Sequence, residues 1–173
     1  VSLAGWCSMQ LAEAALWLTE PSHSSEVCRP ANRILTVTAI PAALSLQVMA
    51  PVAGAASVPT ASVKLLALIA LLGTAPLLTF GTNMVRHGAW CTVLTPQGHL
   101  SWGFHQAAMA KPQWLATGSS WCALILAPFA LWWRPAYEAA ALAATGSGFM
   151  LGALVLTDSP ASNWCFYLST GSC

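Results

Sequence analysis

The sequence predicts an all-α fold, a polytopic transmembrane bundle of about five spans with a short C-terminal interfacial or re-entrant segment. Three observations carry this expectation. Long stretches lack any charge, between Arg33 and Lys64, Lys64 and Arg86, Lys111 and Arg134, and Glu138 and Asp158. Each is long enough for the roughly 20 apolar residues that a helix needs to cross a hydrocarbon core about 30 Å thick. Charged residues make up 6% of the 173, against roughly 25% in soluble domains. The hydrophobic share is 57% and the mean hydropathy +0.65, which leaves too little polar surface to cover a soluble fold of this size.

One transmembrane domain, 1–173, is expected. The first span is 1–19, with Trp6 and Trp17 near its ends. The polar run Glu20-Pro21-Ser22-His23-Ser24-Ser25-Glu26 breaks it. The second span is 33–53, in which Pro41 is tolerable if neighbouring helices satisfy the freed carbonyl. A turn over 54–62 leads to the third, 63–84, with Gly73 and Pro76 inside. The longest polar interval, 86–116, holds three of the four histidines. The fourth span is 117–133, closed by Arg134-Pro135, and the fifth is 136–157. Trp90, Trp102, Trp114, Trp132 and Trp133 fall near segment ends, where interfacial anchoring suits an indole ring. The chain opens on Val1 with no charged n-region before it, which reads as a removed N-terminal extension rather than an intact signal peptide.

Alternation of five spans puts loops 20–32 and 86–116 and turn 158–162 on one face. That face carries Arg29, Arg33, Arg86 and Lys111, against Lys64 and Arg134 on the other, a bias that places the loop face inside. Cys28 and Cys91 share the loop face and are candidates for a disulfide, which requires an oxidising compartment. The two signals oppose each other and leave orientation open. Cys7, Cys122 and Cys165 have apolar surroundings and read as buried packing residues.

Small residues recur at Ala140, Ala144, Gly148 and Gly152 on the fifth span, a face on which two backbones could approach closely. Ala4, Ser8 and Ala12 draw a similar ridge on the first. Glu13 is the sharpest polar anomaly, with Gln10 and Trp17 on the same helix face. An intramembrane carboxyl is expensive and points to function. The plainer alternative is a neutral carboxyl hydrogen-bonded to Gln47 or a backbone carbonyl, with Arg33 as a further candidate for an ion pair.

His87, His99 and His105 share the long loop, and His99, His105 and Asp158 form an alternative metal set for an intramembrane hydrolase. The spacing of His99 and His105 does not aim two ligands one way on a helix. Gly-x-Ser-x-Gly, His-Glu-x-x-His, a Walker loop and Cys-x-x-Cys are all lacking. The net charge of +1 offers no basic patch for nucleic acid.

Three motifs resemble an uncharacterised family of multi-pass membrane proteins of microbes, algae and large DNA viruses. They are Trp6-Cys7-Ser8, then Cys91-Thr92 with His99-Leu100-Ser101-Trp102, and finally Leu156-Thr157-Asp158 leading to Trp164-Cys165-Phe166-Tyr167. Gly98 departs from the family's Trp before the His. The resemblance implies about seven spans and no particular activity.

These readings lead to the expectation of a non-catalytic accessory subunit in a larger membrane complex, with other membrane subunits and lipids as partners and no enzymatic role. An organellar energy-converting assembly, a photosystem in a thylakoid membrane or a respiratory complex, would suit it. There Glu13, Gln10, Gln47 and Asn83 would be candidate pigment ligands, with chlorophyll or carotenoid as cofactor. The alternatives are a small transporter or channel with Glu13 on its path, and the metal-dependent hydrolase.

Overall fold

A computed structural model describes residues 2–24, 26–74, 88, 90–102 and 111–133, with 2–6, 111–119 and 133 described by backbone alone. Helix α1 is Ser2–Trp17 and α2 is Pro30–Ala55. Helix α3 is Val63–Thr74. Strands β1, Val93–Leu94, and β2, Leu100–Ser101, pair antiparallel, with Val93 opposite Ser101 and Leu94 opposite Leu100. Helix α4, Lys111–Pro128, continues into a π-helical turn, Phe129–Trp133.

The described fold is therefore mostly helical, and the expected boundaries need correction. The first helix stops at Trp17, short of 19. The second is longer than 33–53 at both ends, because Pro30 fits the first helical position, where a missing N–H costs nothing. The interval 86–116 is not simply a polar loop: it contains the hairpin, and α4 starts inside it at Lys111 rather than at 117. Apolar content located a helix there but could not show that Lys111 and Pro112 open it. The third span is described as helix only to Thr74, and the fifth, 136–157, lies outside the described residues.

Local chemistry sets the helix ends. At the end of α1 the Thr19 hydroxyl donates to the Leu16 carbonyl (2.6 Å), and the Glu20 N–H reaches that of Trp17 (3.1 Å). Glu20 then turns left-handed, φ 52°, a conformation that is uncommon outside glycine. Its carboxylate pairs with Arg29 (2.5 Å), which holds the turn from the other side. At the start of α3 the Ser62 hydroxyl accepts the Leu65 N–H (3.4 Å), an N-cap.

Helices α1 and α2 lie antiparallel. Asn32 donates to Thr19 (3.1 Å) at one end of the pair, and Ser8 donates to the Ala43 carbonyl (3.5 Å) farther along. That register brings the Ser8 and Ala12 part of the small-residue ridge against α2, and Ala12 is buried there. Helix α3 approaches α2 so closely that a Cβ on Gly73 would sit 2.5 Å from Val48 Cγ1, so a hydrogen is all that fits. The core gathers Met9, Leu16, Ile40, Val48, Leu66, Ile69, Leu100, Trp102, Trp121 and Ile125 from the four described helices and the second half of the hairpin.

Candidate functional site

Two polar clusters stand inside this apolar scaffold. The first closes one end of the α1–α2 pair. Asn32 sits in the first turn of α2, and Thr36 one turn later on the same face. Asn32 Nδ2 donates to Thr19 Oγ1 (3.1 Å) and to the Thr92 carbonyl (3.0 Å). Its Oδ1 accepts from the Thr92 N–H (2.9 Å) and the Thr36 hydroxyl (3.2 Å). All four hydrogen-bonding positions of the amide are filled, which also fixes which way it points. Thr36 and Thr92 join through their hydroxyls (2.8 Å), and the Thr92 N–H also reaches Thr36 Oγ1 (3.1 Å). Asn32, Thr36 and Thr92 are all buried.

Around this latch the hairpin is pinned further. Cys91, buried beside Thr92, is disulfide-bonded to half-buried Cys28, with a Cα–Cα distance of 6.1 Å. The Leu94 N–H donates to the Ser22 carbonyl (2.8 Å), and His23 Nδ1 lies 3.2 Å from the Leu94 carbonyl. Arg33 places its guanidinium 4.9 Å from the Trp90 ring centroid, a cation–π contact. The hairpin tip is closed by the Gly98 N–H to the Thr95 carbonyl (2.9 Å), with Gly98 at φ 81°, and by the His99 N–H to Thr95 Oγ1 (3.0 Å). Loops 18–29 and 90–102 thus form one cap.

The second cluster lies deeper. Gln47 is 1% exposed, and its Oε1 accepts the Trp121 Nε1–H (3.3 Å), tying α4 to α2. Glu13 is 7% exposed and faces inward from α1, with half-buried Gln10 one turn before it. By the α1–α2 register Glu13 is level with Thr38. Thr38 is nine positions from Gln47, roughly 13 Å along the axis at 1.5 Å per residue. Glu13 and Gln47 are therefore not brought together, and Arg33 turns to Trp90 at the cap.

Other sequence-based expectations are corrected here. Trp102 is no interfacial anchor: it is 1% exposed and part of the core, because the hairpin folds back onto the helices. Cys7 is exposed rather than a packing residue, since it lies on the outer face of α1, whereas Cys122 is buried. Trp90 and Trp132 are half-buried. Asn83, His87, His105, Asp158, Ala140, Ala144, Gly148, Gly152 and Cys165 lie outside the described residues. Among the described residues no three of His, Cys, Asp and Glu come close enough to hold a metal.

Of the latch residues, Thr92 entered the sequence reading only as part of the Cys91-Thr92 motif and Thr19, Asn32 and Thr36 were not singled out, although Asn32 and Thr36 repeat a polar position four apart on an apolar helix. Two of the motifs that carried the family resemblance meet in this cap. Cys91-Thr92 supplies the disulfide and the latch, and His99 to Trp102 supplies the returning strand. No family model, curated protein or solved structure matches this chain.

Proposed function

We propose that this chain is a multi-pass membrane protein and a non-catalytic accessory subunit of a larger membrane complex, with an organellar energy-converting membrane as the setting. One observation carries the reading: the described helices are apolar on their outer faces as well as in the core, and several of their few polar side chains are buried. On α1 the exposed stripe is Cys7, Leu11 and Ala14, continued by Leu18 just past its end, while the buried stripe holds Glu13; Leu11 is 71% exposed where Glu13 is 7%. On α2 the buried face carries Asn32, Thr36, Ser45 and Gln47, and Ile34, Leu46 and Met49 point outward. Val63, Leu68, Leu71 and Leu72 are exposed on α3.

A water-soluble helix places its polar face outward. Apolar stripes on three neighbouring helices are far beyond the scattered exposed residues of ordinary surfaces. In lipid the same arrangement is favourable, since acyl chains solvate the leucines while Asn32, Thr36 and Gln47 find partners inside the fold. Helix α2, at 26 residues, is about 39 Å long, enough to cross. The accessory role follows from small polar segments and from polar groups engaged in holding helices together. Gln47 and Asn32 act in this way. Glu13 and Gln10 keep the inward position that a pigment-ligating carboxyl or amide would need.

The test is extraction from the native membrane. Retention in the pellet at alkaline pH, followed by migration with larger partners on a native gel in mild detergent, supports the reading. Release at alkaline pH contradicts the membrane assignment, and migration as a free polypeptide contradicts the subunit role.

A further inference from the structure

We propose that the cap, residues 18–29 and 90–102, faces the oxidising side of the membrane, and that the α2–α3 turn, residues 56–62, faces the reducing side. The inference rests on the membrane reading above. Cys28 and Cys91 are held within bonding range by interactions independent of their sulfurs. Thr92 is docked on Asn32 and Thr36, Leu94 on Ser22, and Arg33 beneath Trp90. The folded cap therefore presents the two cysteines to each other in the bonded arrangement the structure shows, and such a bond persists only in an oxidising compartment. Joining removes two protons and two electrons, which a disulfide acceptor takes up to become a dithiol.

The path of the chain places the opposite end. Helix α2 leaves the cap at Pro30 and reaches the 56–62 turn some 39 Å away (26 residues at 1.5 Å each). Trp90 stands at the cap end of α2, against Arg33, whereas Trp121 of α4 is level with Gln47, deep along the same helix. The cap and the turn are thus on opposite faces. The count of four cations against two favours the reverse orientation. That rule is a bias in insertion, whereas a persistent disulfide requires an oxidising environment, and we give the covalent bond precedence.

Cells quenched in acid and treated with a mass-adding maleimide should show Cys28 and Cys91 protected until a reductant is added. In sealed vesicles, a charged phosphine that cannot cross the bilayer reduces the disulfide to two thiols while becoming the phosphine oxide with oxygen from water. It should act only in vesicles whose cap faces outward. Ser57→Cys, or Thr60→Cys should the first fold poorly, in a chain with Cys7, Cys122, Cys165 and Cys173 replaced by serine, should react with an impermeant maleimide only in vesicles of the opposite orientation. Free Cys28 and Cys91 in quenched cells overturn the proposal, as does labelling of the turn from the side on which the phosphine acts. Alkaline extraction in parallel keeps the two readings apart. Release ends the membrane assignment itself, whereas retention with free thiols ends only this one.

Discussion

The cap and the bundle beneath it are held together in different ways, the cap by polar and covalent links and the bundle by close apolar packing. In the cap, Arg29, Glu20, Arg33 and His23 stand at the surface while polar groups interlock beneath them. In the bundle, leucines face out and Glu13 and Gln47 face in. A cap stabilised by polar and covalent links loses stability when one link is removed. A bundle packed through small residues loses it when something larger is added, and the two modes of failure separate the regions experimentally.

The largest effect is expected in the cap. Removing the disulfide with Cys28→Ser frees a loop whose ends are 63 residues apart in sequence, which in the chain-entropy account costs about 4 kcal/mol. Thermal unfolding in detergent should show a correspondingly lower midpoint, and an unchanged midpoint would mean that the polar latch alone holds the cap. Asn32→Ala follows, at about 3 kcal/mol, because Thr19 and the Thr92 backbone lose buried partners. Faster backbone hydrogen exchange at 90–102 is the confirming measurement.

The bundle should respond to size. Gly73→Ala forces its new methyl against Val48 and should cost about 1–3 kcal/mol. Val48→Ala in the same chain should recover most of that loss, and a double-mutant cycle showing simple additivity would contradict the close approach of α2 and α3. Smallest is Trp121→Phe, about 1 kcal/mol for the hydrogen bond to Gln47, measured as a lower midpoint absent from the Gln47→Leu background.

The helical content was legible because long uncharged apolar runs favour helices: the four described helices fall within or across those runs, and one of them, Pro30–Ala55, is long and apolar enough to cross a membrane. The inward Glu13 was legible as a carboxyl where none is cheap. The cap was not. Its strands are two residues each, too short for a period-2 pattern to register. Its latch joins Asn32 to Thr92 across 60 positions by a side chain meeting a backbone, which no local pattern encodes. Trp102 misled for a related reason. Proximity to a segment end suggested an interface, while the hairpin carries the ring back into the core.

The central claim, that acyl chains solvate the outer faces of α1 to α3, is tested most directly by spin labels at Leu11→Cys, Leu46→Cys and Leu71→Cys, with Cys7, Cys122, Cys165 and Cys173 replaced, in the isolated protein reconstituted in nanodiscs. Collisions with oxygen, which partitions into the bilayer, should be frequent at all three sites and collisions with a water-soluble nickel chelate rare. Frequent nickel collisions at these positions would place the leucines in water and contradict the account.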